Sequence, residues 1–309
     1  MRAEIQALRA LAVGVVILGH SWPQAFSGGF VGVDVFFVIS GFLITGHLVR
    51  EVQRSDRISL IGFWARRVRR ILPAAMLVLA VVIVATLAVV PESRWDTFLH
   101  EMRASGLYVQ NWQLAGSATD YFAAAEGTQS PVQHYWSLSV EEQFYLVWPL
   151  LLGGAALFLR GPYRRPGLVM LMGGVAAVSL AYSIAETSSD PAAAYFVTPT
   201  RVWEFALGGL LSLLPVAAGH ERRRAVVSWV GLLAIAVAVA RYDDATAFPG
   251  YAALLPVLGT VAVVWAGLPR APWSPSRLMA ARPVQVVGGV SYSLYLWHWP
   301  LLILLPYAL

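Results

Sequence analysis

The side chains in this chain with chemical potential sit on apolar stretches. "LRALAVGVVILGH", running from Leu8 to His20, sets Arg9 and His20 eleven residues apart. At about 100° per residue that is close to three full turns, so both project from one helix face some 16 Å apart. An imidazole takes up a proton near neutral pH, and a carboxylate within reach fixes its tautomer and raises its basicity. "GGFVGVDVFFVISGFLIT" supplies such a carboxylate in Asp34, one short loop after His20. The pattern predicts a general-base pair. The plainer alternative is that Arg9 snorkels to one membrane surface while His20 only closes the helix at the other.

Further charged groups recur at segment ends. "HYWSLSVEEQFYLVWP" carries Glu141 and Glu142; neighbouring helical residues point about 100° apart, so one can face inward, and Glu141 is taken as that one. No Gly-x-Ser-x-Gly elbow surrounds Ser137 or Ser139, and Ser139 suits an N-cap with Glu142 as its capping-box partner. In "TRVWEFALGG", Arg201 and Glu204 are spaced to pair on one face, for which a structural ion pair outweighs a direct role. Trp136, Glu142, Arg201 and Glu204 are the candidates to contact a substrate.

"FWARRVRRILP" gathers four arginines, with Arg67 and Arg70 on one face and Arg66 close in angle to Arg70. They read either as a topology anchor or as a clamp for a polyphosphate such as that of coenzyme A, because planar guanidinium forks match phosphate oxygens. His298, between two tryptophans in "SYSLYLWHWPLLIL", reads as a packing residue more than a catalytic one.

These groups require elements that cross a bilayer. Of 309 residues, 58% are hydrophobic and 13% charged, a composition foreign to soluble domains. Apolar runs long enough to span about 30 Å recur throughout, which implies helices and an all-α polytopic transmembrane bundle. Spans are predicted near 7–26, 30–49, 71–90, 140–158, 168–185, 200–215, 225–240, 250–268 and 284–306, about nine to ten crossings in all. All 22 basic residues are arginine, and 18 fall at or before the start of the first of these spans or after the second, fourth, sixth and eighth. By the positive-inside rule the N terminus is cytoplasmic. That parity requires residues 91–139 to make no net crossing, so the amphipathic stretch at 95–115 is read as an outer-face or re-entrant segment. The first run lacks a cleavage site and is read as a retained helix. There are no cysteines, which removes thiolate chemistry and disulfides. Neither a metal nor a nucleic-acid partner is expected, since topology accounts for the net charge of +5.

"EIQALRALAVGVVILGH", "GGFVGVDVFFVISGFLIT", "FWARRVRRILP", "HYWSLSVEEQFYLVWPLLL", "RVWEFALGG" and "VSYSLYLWHWPLL" together, in this order, resemble the acyltransferase-three family of integral membrane O-acyltransferases. The resemblance covers nearly the whole chain. It implies transfer of an acyl group, usually acetyl, from cytoplasmic acyl-CoA to a hydroxyl of an extracytoplasmic or membrane-associated glycan. It also implies that Arg9 and His20 are needed for activity, that Arg67 and Arg70 are the family's Arg-x-x-Arg, and that Glu141 is the glutamate of its Trp-Ser-Leu-Ser-Val-Glu stretch. On this reading Arg9, Arg66, Arg67 and Arg70 hold the donor, while His20, steadied by Asp34 or Glu141, removes the acceptor proton.

Members of this kind usually continue into a further helix, and many add an SGNH esterase-like domain. The expectation is therefore one acyltransferase domain over 1–309 lacking both. The rival readings are a carrier or flippase, which needs a similar polar path but for which no internal repeat is found, and an inactive membrane scaffold.

Overall fold

A computed structural model describes residues 2–117, 129–159, 161–214 and 219–309. The described residues are helical, with no strand among them. The chain begins with α1 (Ala3–Ser21), α2 (Gly32–Ser55) and α3 (Leu60–Val89). Two short helices follow, α4 (Trp95–Gly106) and α5 (Gln110–Gly116), and then α6 (Tyr135–Phe158) and α7 (Arg164–Ser189). The remainder is α8 (Pro191–Phe196), α9 (Val202–Leu213), α10 (Glu221–Arg241), α11 (Leu254–Ala266), α12 (Ser276–Met279) and α13 (Arg282–Ala308).

Five stretches are long and apolar enough to cross a membrane: α1, α2 with the turn before it, α3, α7 with the turn before it, and α10. At 24 and 27 residues, α6 and α13 also have spanning length. The 12-residue α9 and 13-residue α11 reach only about 18–20 Å at 1.5 Å per residue. Each of the nine expected spans coincides with one of these helices, although α9 and α11 are shorter than expected, and residue 215, where the α9 span was to end, lies outside the described residues. Arg160, counted in the charge pattern, lies outside them too. Between 91 and 139 the described helices α4 and α5 have 12 and 7 residues, too short to cross; residues 118–128 of that stretch are not described.

Burial sorts the helices into layers. Of the most apolar window in the α2 stretch 83% is buried, against 28% in α3, α7 and α10. α2 is thus the centre of the bundle, and the other three present apolar side chains such as Val84, Val178 and Leu233 outward, as lipid-facing helices do.

Helices approach closely where a side chain is missing. A Cβ on Gly41 would lie 2.0 Å from the carbonyl oxygen of Phe205, and one on Gly208 would lie 2.1 Å from that of Val38, which seats α9 against α2. Likewise a Cβ on Gly288 would lie 2.0 Å from the carbonyl oxygen of Gln6, bringing α13 directly onto α1. Ser139 does not cap α6 as expected. The helix starts four residues earlier, at Tyr135, and Ser139 inside it donates back to the Tyr135 carbonyl at 2.9 Å, a bond open to serine inside a helix.

Candidate active site

The α1–α13 pairing organises the first part of the site. Ser291, Tyr295 and His298 lie at i, i+4 and i+7 on one face of α13, and that face meets the Arg9–His20 face of α1. Arg9 Nε donates to Ser291 Oγ at 3.0 Å. One end of the helix pair thus carries a guanidinium and the other an imidazole contact, His20 Nδ1 to His298 Nε2 at 3.0 Å. The two rings are nearly coplanar, at 3°, with centroids 5.2 Å apart, and His20 also meets the edge of Trp299.

A third imidazole joins them through a proline. Pro300 has no N–H, so the carbonyl four residues earlier in α13, that of Leu296, loses its helical partner. His134 Nε2, at the head of α6, supplies a replacement at 3.2 Å. His134 and His298 have ring centroids 5.7 Å apart. α6 repeats the device, for Pro149 releases the Tyr145 carbonyl and Trp64 Nε1 of α3 donates to it at 3.1 Å.

Beside this imidazole cluster lies a cavity of about 510 Å³. Its polar lining includes Arg50, Arg67, Arg70 and His47 as well as Arg9, Glu141, Tyr145, Ser137 and Tyr295, set among apolar side chains. Ser40 and Tyr145 both donate to Oε1 of Glu141. The Arg67 guanidinium lies over the Tyr145 ring at 5.2 Å, a cation–π contact that keeps the charge at the cavity wall. Tyr295 marks the boundary between cavity and imidazoles. Its hydroxyl meets Ser137 Oγ at 2.6 Å and donates to the His134 carbonyl at 3.2 Å, while its ring lies against those of His134 and His298.

A separate charged cluster is sealed in the core. Arg201 Nη1 donates to Asp34 Oδ1 at 3.0 Å and to Glu204 Oε1 at 3.2 Å, and all three side chains are at most 1% exposed. Trp136, Tyr195 and Phe248 rings surround the guanidinium at 5.0–5.6 Å.

Residues 2–309 match the acyltransferase domain family. The chain belongs to that family. It is 32% identical over 315 residues to the O-acetyltransferase OatA of Staphylococcus aureus, covering 97% of this chain and 50% of that protein. The peptidoglycan O-acetyltransferase OatA of Listeria monocytogenes is 32% identical over 321 residues, with 97% and 49% covered. The putative peptidoglycan O-acetyltransferase YrhL of Bacillus subtilis is 30% identical, with 97% and 48% covered. The chain spans about half the length of these relatives. No solved structure matches it. With its apolar helices and this kinship it is a multi-pass bacterial membrane protein and an acyltransferase-family chain.

The site residues expected from sequence fall into three groups. Arg9, Arg67, Arg70 and Glu141 line the cavity together. Arg66 sits at its edge, 3.3 Å from His47 Nε2 and 3.7 Å from Glu51 Oε2. His20 is not on the cavity wall, and its bonded partner is His298 rather than Asp34 or Glu141. Asp34 is drawn away by Arg201, the stronger partner for a buried carboxylate. Glu141 is held on the arginine side by Ser40 and Tyr145.

The substrate contacts expected of Trp136, Arg201 and Glu204 meet a sealed cluster, since all three are buried against one another and Asp34. The expected Arg201–Glu204 ion pair is present. Glu142 is half-buried on α6, within electrostatic reach of Tyr108 and Arg67. Among the described residues no group of three or more His, Asp or Glu is arranged to hold a metal.

The sequence reading did not single out Ser40, Tyr145, Tyr295 or His134, set Ser137 aside for want of a nucleophile elbow, and took His298 for packing more than catalysis. The signal for α13 was present: Ser291, Tyr295 and His298 share one face by spacing, and Pro300 four residues past Leu296 announces a free carbonyl.

Proposed function

We propose that this protein transfers an acyl group, in the first instance acetyl, from cytoplasmic acyl-CoA to a hydroxyl of an extracytoplasmic glycan such as peptidoglycan. The observation that carries the reading is the arginine-lined cavity that ends at Tyr295 and Ser137, one side chain away from the His20–His298 pair. The arginine distribution supports a cytoplasmic cavity mouth, and the names of the relatives support a peptidoglycan acceptor.

In this scheme Arg50, Arg67 and Arg70 hold the phosphates of the donor by charge-assisted hydrogen bonds. The pantetheine arm follows the cavity past Glu141 and Tyr145, placing the thioester near Tyr295. His20 receives the proton of the acceptor hydroxyl as its oxygen attacks the thioester carbonyl. The C–S bond then breaks, and the departing thiolate takes the proton back from the imidazolium to leave free CoA thiol. Glycan and donor lie on opposite sides of the membrane, so the cavity is the path along which they meet.

The test is acetyl transfer from acetyl-CoA to an N-acetylglucosamine oligomer by purified protein in liposomes. His20→Ala is expected to abolish transfer, whereas Arg67→Ala and Arg70→Ala each raise KM for acetyl-CoA and leave kcat nearly unchanged. Full transfer by His20→Ala, or glycan movement without release of CoA, overturns the proposal.

A further inference from the structure

We infer that His298 is a positioning residue that fixes the tautomer of His20, keeping the proton on Nδ1 and leaving Nε2 as the acceptor. The inference rests on His20 serving as the base, as proposed above, and assigns the partner that the sequence sought among carboxylates.

Donors and acceptors along α13 fix where the hydrogens lie. His298 Nδ1 lies 2.7 Å from the backbone carbonyl of Tyr295. A carbonyl oxygen can only accept, so Nδ1 of His298 carries the hydrogen. Neutral His298 then offers a lone pair at Nε2, and His20 Nδ1 stands 3.0 Å from it. The contact is a hydrogen bond only if His20 donates from Nδ1, which places the lone pair of His20 on Nε2. The two ring planes are parallel to within 3° with centroids 5.2 Å apart, a spacing that a 3.0 Å contact between ring nitrogens reaches only when those nitrogens lie close to the line joining the centroids. Two imidazoles in that arrangement meet edge to edge, so the lone pair and the N–H lie along one line, as a strong hydrogen bond prefers.

The surroundings keep His298 in this role. It is 7% exposed, and His134, whose own Nε2 is committed to the Leu296 carbonyl, packs across its face. The Tyr295 ring packs beside both, 5.4 Å from His298 and 5.6 Å from His134. The first link of the chain is a main-chain carbonyl of the same helix, so it does not depend on the rotamer of another side chain. A neutral imidazole as orienting partner also avoids a buried carboxylate, which would need its own counter-charge in the membrane.

Two variants separate positioning from packing. His298→Asn can still donate to the Tyr295 carbonyl but is too short to reach His20; His298→Gln places an amide oxygen near the Nε2 position. The measurement is nitrogen NMR of the full chain in lipid nanodiscs, labelled at histidine, with the His20 signals assigned by their loss in His20→Ala. The native protein is expected to show His20 protonated at Nδ1. In His298→Asn this preference is lost and kcat for acetyl transfer falls about tenfold or more, with KM for acetyl-CoA unchanged. In His298→Gln both the tautomer and most of the rate return.

A His20 protonated at Nε2 in the native protein, or unchanged between native and His298→Asn, overturns the inference. So does native kcat in His298→Asn. Full activity of His20→Ala, by contrast, would remove the functional proposal while leaving the tautomer measurement to decide this one.

Discussion

Gly288 and Gly289 are neighbours on α13, and replacing each by alanine should have opposite effects. A Cβ at position 288 would sit 2.0 Å from the carbonyl oxygen of Gln6, whereas one at 289 meets only the far end of the Gln6 side chain at 3.7 Å. Ordinary contact begins near 3.4 Å, so Gly288→Ala forces α1 and α13 apart by about 1.4 Å. Both atoms in that clash are fixed to helices, and no rotamer relieves it. Each substitution gains the same helix propensity, about 1 kcal/mol, so the difference between them isolates the overlap. Overpacking of this kind costs about 1–3 kcal/mol, and Gly288→Ala should be the less stable variant by that amount.

The same separation stretches the Arg9–Ser291 and His20–His298 bonds, both now 3.0 Å, past the limit of a useful hydrogen bond. Acetyl transfer should therefore fall in Gly288→Ala. Gly289 lines the cavity, so Gly289→Ala can alter KM for the donor but should leave the melting temperature at or above that of the native protein. The assay is thermal unfolding in detergent followed by tryptophan fluorescence, the chain having 12 tryptophans, alongside the transfer rate. Equal stability and equal rates for the two variants would refute the claim that bare backbone contact sets the α1–α13 spacing.

Arg201→Met strips two buried carboxylates of their shared counter-charge and should destabilise the protein by about 3–5 kcal/mol. Adding Glu204→Gln should recover part of the loss in the same unfolding measurement. On the amphipathic α4, outside the spanning helices, burial raises the Glu101 carboxyl above its ordinary range, against smaller opposing effects of hydrogen bonds from Ser130 and Gln110. An acid raised in the folded state contributes stability that is complete below its unfolded value and is lost as pH rises through the folded one. The native melting temperature should accordingly fall across that interval, and Glu101→Gln should not show the fall.

Apolar run length made the helices legible in the sequence, and the Arg201–Glu204 spacing of three residues made that ion pair legible. The arginine group was legible for the same reason, since Arg67 and Arg70 share a face whatever they pack against. The partners of His20 and Asp34 were not. Proximity along the chain suggested that they meet across one short loop, but which side chains touch is decided by helix–helix packing, and α13 and α9 come from the far half of the sequence. Glu141 illustrates the same limit: its position at the head of a span said nothing about which neighbours would donate to it, and Ser40 of α2 and Tyr145 of its own helix hold it among the arginines.

Pro149 of α6 and Pro300 of α13 have a consequence for how such a bundle can be altered. Each exposes one specific main-chain oxygen, four positions upstream, and an aromatic N–H from another helix is anchored there. Shifting Pro300 by a single residue would turn the vacant oxygen about 100° around α13, leaving His134 facing a carbonyl already in use. The location of a residue without a hydrogen thus dictates the address of an imidazole more than 160 residues away.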